Sequence, residues 1–94
     1  MRVAADIAAA GGRAEVAVVD ALDGRAVDEH ADAVAAQAGA IDVSFNLVPR
    51  GDDQGTPIVD MTRERFVHAI TAGCTMGFLT ARAAARHMRR RARA

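Results

Sequence analysis

The sequence predicts an α/β fold with parallel strands, on three observations. Short β-branched runs alternate with longer stretches whose apolar residues recur every three or four positions. Gly and Asp punctuate the joints between them. The resulting order is helix end, strand, helix, strand, long helix, the pattern of parallel strands joined by helical crossovers.

Residues 3–10 (VAADIAAA) read as the last turns of a helix, stopped by Gly11 and Gly12. Residues 14–19 (AEVAVV) are short and β-branched, which predicts a buried strand. The turn that follows ends at Asp23, a residue able to cap the next helix. Over 24–38, Val27, Ala31, Val34 and Ala38 form one apolar stripe, and Gly39 ends it. In the second strand, 41–47, Ile41, Val43, Phe45 and Leu47 share a face. Residues 49–57 (PRGDDQGTP) are loop. Thr62 then caps a long helix over 62–88, with Glu64 in its first turn and a stripe through Phe66, Ile70, Gly73, Gly77, Ala81, Ala84 and Met88. Gly73 and Gly77 are expected to weaken or kink its middle.

Ninety-four residues, 51% hydrophobic and 26% charged, allow one domain and exclude wholesale disorder. Aromatics are 3%, so any core is built from Ala and Val with few large anchors. Cys74 is the only cysteine, which excludes a disulfide within the chain and a zinc site needing two thiolates. No apolar run is long enough to span a bilayer, and an N-terminus containing Asp6 makes a poor signal peptide, so a cytoplasmic protein is expected. Charge is unevenly divided. Residues 1–64 carry all 12 acids and five arginines, net −7, whereas 65–94 carry seven arginines and no acid, net +7. A basic stretch without interleaved aromatics fits a helix end whose cations complement the macrodipole better than a nucleic-acid grip.

The candidate reactive groups read mostly as structural. Cys74 lacks an evident base and is expected to be buried apolar filler. His30, His68 and His87 make no i, i+4 ligand pair, and Asp52, Asp53 and Asp60 match no calcium loop, so no metal site is expected. Ser44 lies mid-strand without a nucleophile-elbow sequence. Gly73 and Gly77 suggest close approach of a neighbouring helix. Asp20 is either a turn residue or a ligand contact.

Three stretches together resemble the middle of a short-chain dehydrogenase/reductase. They are Val18-Val19-Asp20-Ala21 at a strand end, Gly39-Ala40-Ile41-Asp42-Val43-Ser44-Phe45-Asn46-Leu47-Val48, and the helix containing Phe78-Leu79-Thr80 through Met88. Asp60-Met61-Thr62 falls where that family commonly opens its helical region. The resemblance implies a partial Rossmann-type unit and NAD or NADP as cofactor. Asp20 and Ala21 would then lie at the adenine, and Asn46, Leu47 and Val48 at the ribose and nicotinamide. It also implies a homo-oligomer paired through helix 62–88.

Departures from the family pattern limit that expectation. No glycine-rich pyrophosphate turn is present. The catalytic Tyr-x-x-x-Lys cannot occur in a chain with neither residue. The family's Asn-Asn-Ala-Gly reads Asn46-Leu47-Val48-Pro49, and its catalytic helix Asn falls at Gly73. Residues 1–94 are therefore expected to be a partial NAD(P)-binding domain, without the glycine-rich turn and the catalytic half, and not catalytic alone. In the family's sheet these two strands are not neighbours, so they are expected to go unpaired or to pair with each other as a single βαβ unit. The alternative function is a non-catalytic module that dimerises through its alanine-rich helix.

Overall fold

Two helices pack against each other and carry the rest of the chain. The computed structural model describes residues 2–48 and 54–93. Its elements are α1 (Arg2–Ala9), α2 (Gly24–Ala38), a 3-10 turn (Ile58–Asp60) and α3 (Arg63–Arg93).

The ends signalled by Gly11 and Gly12, Asp23, Gly39 and Thr62 fall where the sequence puts them, whereas α3 runs on to Arg93, past the expected end at Met88. After α1, Gly11 takes φ +91°, and the N–H groups of Gly11 and Gly12 donate to the carbonyls of Ala8 (3.1 Å) and Ile7 (2.9 Å). That is a Schellman closure, which requires the left-handed residue at Gly11. Asp23 caps α2, its Oδ1 accepting from the N–H groups of Arg25 (3.1 Å) and Ala26 (3.2 Å). Gly39 closes α2 in the left-handed region and donates to the Ala35 carbonyl at 2.8 Å. Thr62 Oγ1 accepts from the Arg65 N–H at 3.2 Å and starts α3, which runs unbroken through Gly73 and Gly77 to Arg93.

The expected α/β fold with parallel strands is not what forms. Among the described residues there is no strand, and the architecture is helical. Residues 14–19 and 41–47 carry the β-branched composition of strands but form no ladder among the described residues. Val18 is fully exposed, and Val43, Phe45 and Leu47 are about four-fifths exposed. The physical reason is that a strand exists only as one side of a hydrogen-bonded ladder. Local sequence supplies the β-branched side chains, but no ladder forms alongside them among the described residues. The single βαβ pairing does not form either.

Contact between helices is confined to α2 and α3 among the described residues; α1 touches neither. The core between them is small. Val27 of α2 meets Leu79 and Ala83 of α3, and Val19 and Ala31 pack on this cluster. At the start of α2, a Cβ on Gly24 would come within 3.2 Å of Leu79 Cδ2, so this glycine lets the two helices meet closely. Ala72, Met76 and Ala84 of α3 are also buried. The chain has a radius of gyration of 16.8 Å, against about 12 Å for a compact domain of this length. It exposes 7444 Å², whereas a compact monomer of 9.8 kDa exposes about 5,200 Å². Most of the apolar side chains thus lie outside the small core.

Candidate functional site

Where α2 and α3 cross, residues 41–48 run beside them and enclose a cleft of about 330 Å³, at the small end of ligand pockets. One wall is α2, through Val27, His30, Ala31 and Val34. Another is α3, through Thr80, Ala83 and Ala84. The third is the segment from Ile41 to Val48. The lining is mostly apolar, with four polar side chains: His30, Ser44, Asn46 and Thr80.

Asn46 organises the polar corner. Its Nδ2 donates to Thr80 Oγ1 at 3.3 Å, and its Oδ1 accepts from the Val48 N–H at 2.9 Å. Thr80 Oγ1 in turn donates to the Met76 carbonyl at 2.8 Å, with the Gly77 carbonyl at 3.3 Å. The amide of Asn46 therefore ties an otherwise unladdered segment to a helix.

The structure brings Asn46, Leu47 and Val48 together in this cleft, and Asp20 and Ala21 are not among its lining residues. Asp20 is exposed in the turn before α2, where its Oδ1 accepts from the Leu22 N–H at 3.0 Å and its carbonyl from the Asp23 N–H at 3.0 Å. Ala21 beside it is half-buried. Ser44 and His30 line the cleft and His68 is exposed on α3. Cys74 corrects the expectation of a buried filler, because its thiol faces out. Asp52 and Asp53 lie outside the described residues. Among the described residues no group of three His, Cys, Asp or Glu is placed to hold a metal ion, and no helix is long and apolar enough to cross a membrane.

A second polar cluster fastens the far ends of α2 and α3. Arg86 Nη2 reaches Asp32 Oδ1 at 3.2 Å and Asp28 Oδ1 at 3.5 Å, and His87 Nε2 lies 2.8 Å from Asp32 Oδ1. The His87 hydrogen bond holds the Asp32 carboxyl below its ordinary value of 3.8. Partial burial opposes that shift, and the Arg86 charge adds to it. The Asp28 Oδ1 is buried with no hydrogen-bond partner, its charge met by Arg86. The Arg25–Glu29 pair (3.0 Å) is local to α2, highly exposed, and contributes little.

Neither Thr80 nor this cluster was singled out by sequence reasoning. The partners lie 34 residues apart for Asn46–Thr80 and 54 and 55 for Asp32 with Arg86 and His87. The only available signal was the position of Thr80 in Phe78-Leu79-Thr80, which marks register and not contact.

A family model described as Enoyl-(Acyl carrier protein) reductase matches residues 1–94. No curated protein and no solved structure matches the chain.

Proposed function

Because the chain belongs to the enoyl-(acyl carrier protein) reductase family, a branch of the short-chain dehydrogenases/reductases, we propose that it is a segment of an NAD(P)-dependent oxidoreductase whose residues 46–48 form part of the cofactor wall. Members of that family usually use NAD(P). The observation that carries the reading is the polar corner of the cleft, where Asn46 and Val48 are held in fixed orientation beside apolar walls.

The residues suit one nucleoside end of a dinucleotide. Val34, Ile41 and Ala84 offer apolar surface to a flat ring, while Ser44 and Asn46 offer a hydroxyl and an amide to ribose. A pyrophosphate needs a glycine-rich turn opening a helix, and no such turn occurs in the sequence. Asp20 and Ala21 would serve the adenine end from a separate surface. When bound, the nicotinamide supplies or takes up hydride. The tyrosine–lysine pair that handles the accompanying proton in the family has no counterpart, since the chain contains neither residue. The role proposed here is therefore binding and orientation, with turnover dependent on residues outside this sequence.

The test is a fluorescence titration of the chain with NADH and NADPH. Saturable binding weakened about fivefold by Asn46→Ala, the loss of one hydrogen bond, supports the reading. Absence of saturable binding overturns it.

A second reading is favoured by a different observation. Phe66, Val67, Ile70 and Phe78 are each 46–59% exposed on α3. A module pairing through α3 with a second copy would cover them. The surplus surface of the chain, about 2,200 Å² by comparison with a compact monomer, is of the size that stable interfaces bury. Sedimentation equilibrium would show a dimer returned to monomer by Ile70→Glu; a monomer at all concentrations would contradict the pairing.

A further inference from the structure

The cleft depends on a residue that makes no claim to a ligand itself. We infer that Thr80 is the positioning residue of the proposed cofactor wall, acting through Asn46 to fix the path of residues 46–48. This rests on the reading that those residues meet the dinucleotide.

The argument follows the hydrogen atoms. A threonine hydroxyl has one to donate and two lone pairs to accept with. Thr80 commits its hydrogen to the backbone of its own helix, chiefly the Met76 carbonyl at 2.8 Å. Its oxygen is then left as an acceptor facing the cleft, and Asn46 Nδ2 meets it at 3.3 Å. That contact agrees with the amide orientation that the Val48 N–H requires. With the nitrogen on Thr80, the oxygen faces Val48 and accepts its N–H at 2.9 Å. A flipped amide would set donor against donor at Val48 and lose both bonds. Both contacts favour the same amide orientation, and the one to Thr80 is the contact that fastens it to α3.

The relay matters because it ties the segment to α3 through side-chain hydrogen bonds. Residues 41–48 belong to no ladder, and Val43, Phe45 and Leu47 are largely exposed. Asn46, Val48 and Thr80 all line the same cleft. Without the Thr80 acceptor, the Asn46 amide keeps only its local bond with the Val48 N–H, and that bond is no longer braced against α3. A valine at position 80 has nearly the same shape but no hydroxyl, so it isolates the hydrogen-bonding role from packing.

Two readouts on the full chain separate this inference from the reading beneath it. The first needs no ligand: exchange of the Val48 amide and the side-chain amide signals of Asn46, followed by NMR. Thr80→Val should speed Val48 exchange roughly fivefold and merge the Asn46 signals toward those of a free amide, while Thr80→Ser restores both. Circular dichroism of the valine variant should match the parent. The second readout is the NADH and NADPH titration, in which Thr80→Val weakens binding about fivefold and Thr80→Ser does not. Unchanged Val48 exchange in a folded Thr80→Val chain overturns the role of Thr80, whatever the titration gives. Altered exchange together with no dinucleotide binding by the parent overturns the cofactor reading, and the positioning role toward a cofactor falls with it. Should Thr80→Val lose helicity, a second variant decides instead. Thr80→Ala keeps a good helix former but removes the acceptor for Asn46 Nδ2, and parent-like Val48 exchange in Thr80→Ala contradicts the relay.

Discussion

The two halves of α3 have the same helical periodicity but different surroundings. From Leu79 onward the helix lies against α2. Leu79, Ala83 and Ala84 are buried there, and Arg86 and His87 bind the carboxylates of Asp28 and Asp32. From Arg63 to Phe78 only Ala72 and Met76 are buried, while Phe66, Val67, Ile70 and Phe78 face outward. The difference teaches that periodicity makes a helix, whereas burial depends on what lies across from each face. Cys74 shows the same thing at one position. The expectation there is buried filler, and the residue is exposed, in the half of α3 before Leu79.

The largest contrast should come from truncating one apolar residue in each half. Leu79→Ala removes the centre of the α2–α3 contact and is expected to cost about 2–3 kcal/mol of unfolding free energy in urea. Ile70→Ala, at a half-exposed site, is expected to cost below about 0.5 kcal/mol in a monomer. Equal costs would mean that the outer half of α3 is covered in solution, which sedimentation of the same samples would reveal as a concentration-dependent dimer.

A smaller effect should follow from the cap of the covering helix. Asp23→Ala removes the acceptor for two N–H groups at the start of α2 and should cost about 1 kcal/mol. The loss should appear in amide protection of α2 and the inner half of α3, leaving residues 63–70 as they were. Uniform loss along α3 would contradict the division drawn between its halves.

The smallest expected effect is acid dependence of the charge cluster. Asp32 has a folded-state pKa below its ordinary 3.8, so its contribution is fully present above that value and is lost as pH falls through the lowered one. Comparing the parent with Asp32→Asn across pH 2–7 should show a stability gap that is constant near neutrality and closes only below about pH 4. A gap that closes between pH 5 and 7 would contradict the assignment to this carboxyl.

Much of the helical framework was legible because its signals are local. Gly11 and Gly12, Asp23, Gly39 and Thr62 each act within a few residues of the helix end they define, and each does so in the structure. The strands were not legible for the opposite reason. Residues 14–19 and 41–47 have the right side chains, but a ladder depends on backbone partners that no local pattern specifies. The candidate site divides similarly. Asn46, Leu47 and Val48 were reached through a motif, whereas Thr80 and the Asp28–Asp32–Arg86–His87 cluster depend on how α2 and α3 pack. Asp20 lies in the turn before α2, where its carboxylate accepts from the Leu22 N–H.

The central claim is that the cofactor wall lies at residues 46–48 and nowhere on the outer half of α3. The most direct measurement is residue-resolved NMR of the chain during titration with NADPH and NADH. The account predicts saturable shifts concentrated at Ser44, Asn46, Leu47, Val48 and Thr80, with residues 63–70 unmoved. Saturable shifts confined to α3 residues 63–78, or no shift at Asn46 and Val48 at saturating cofactor, would contradict it.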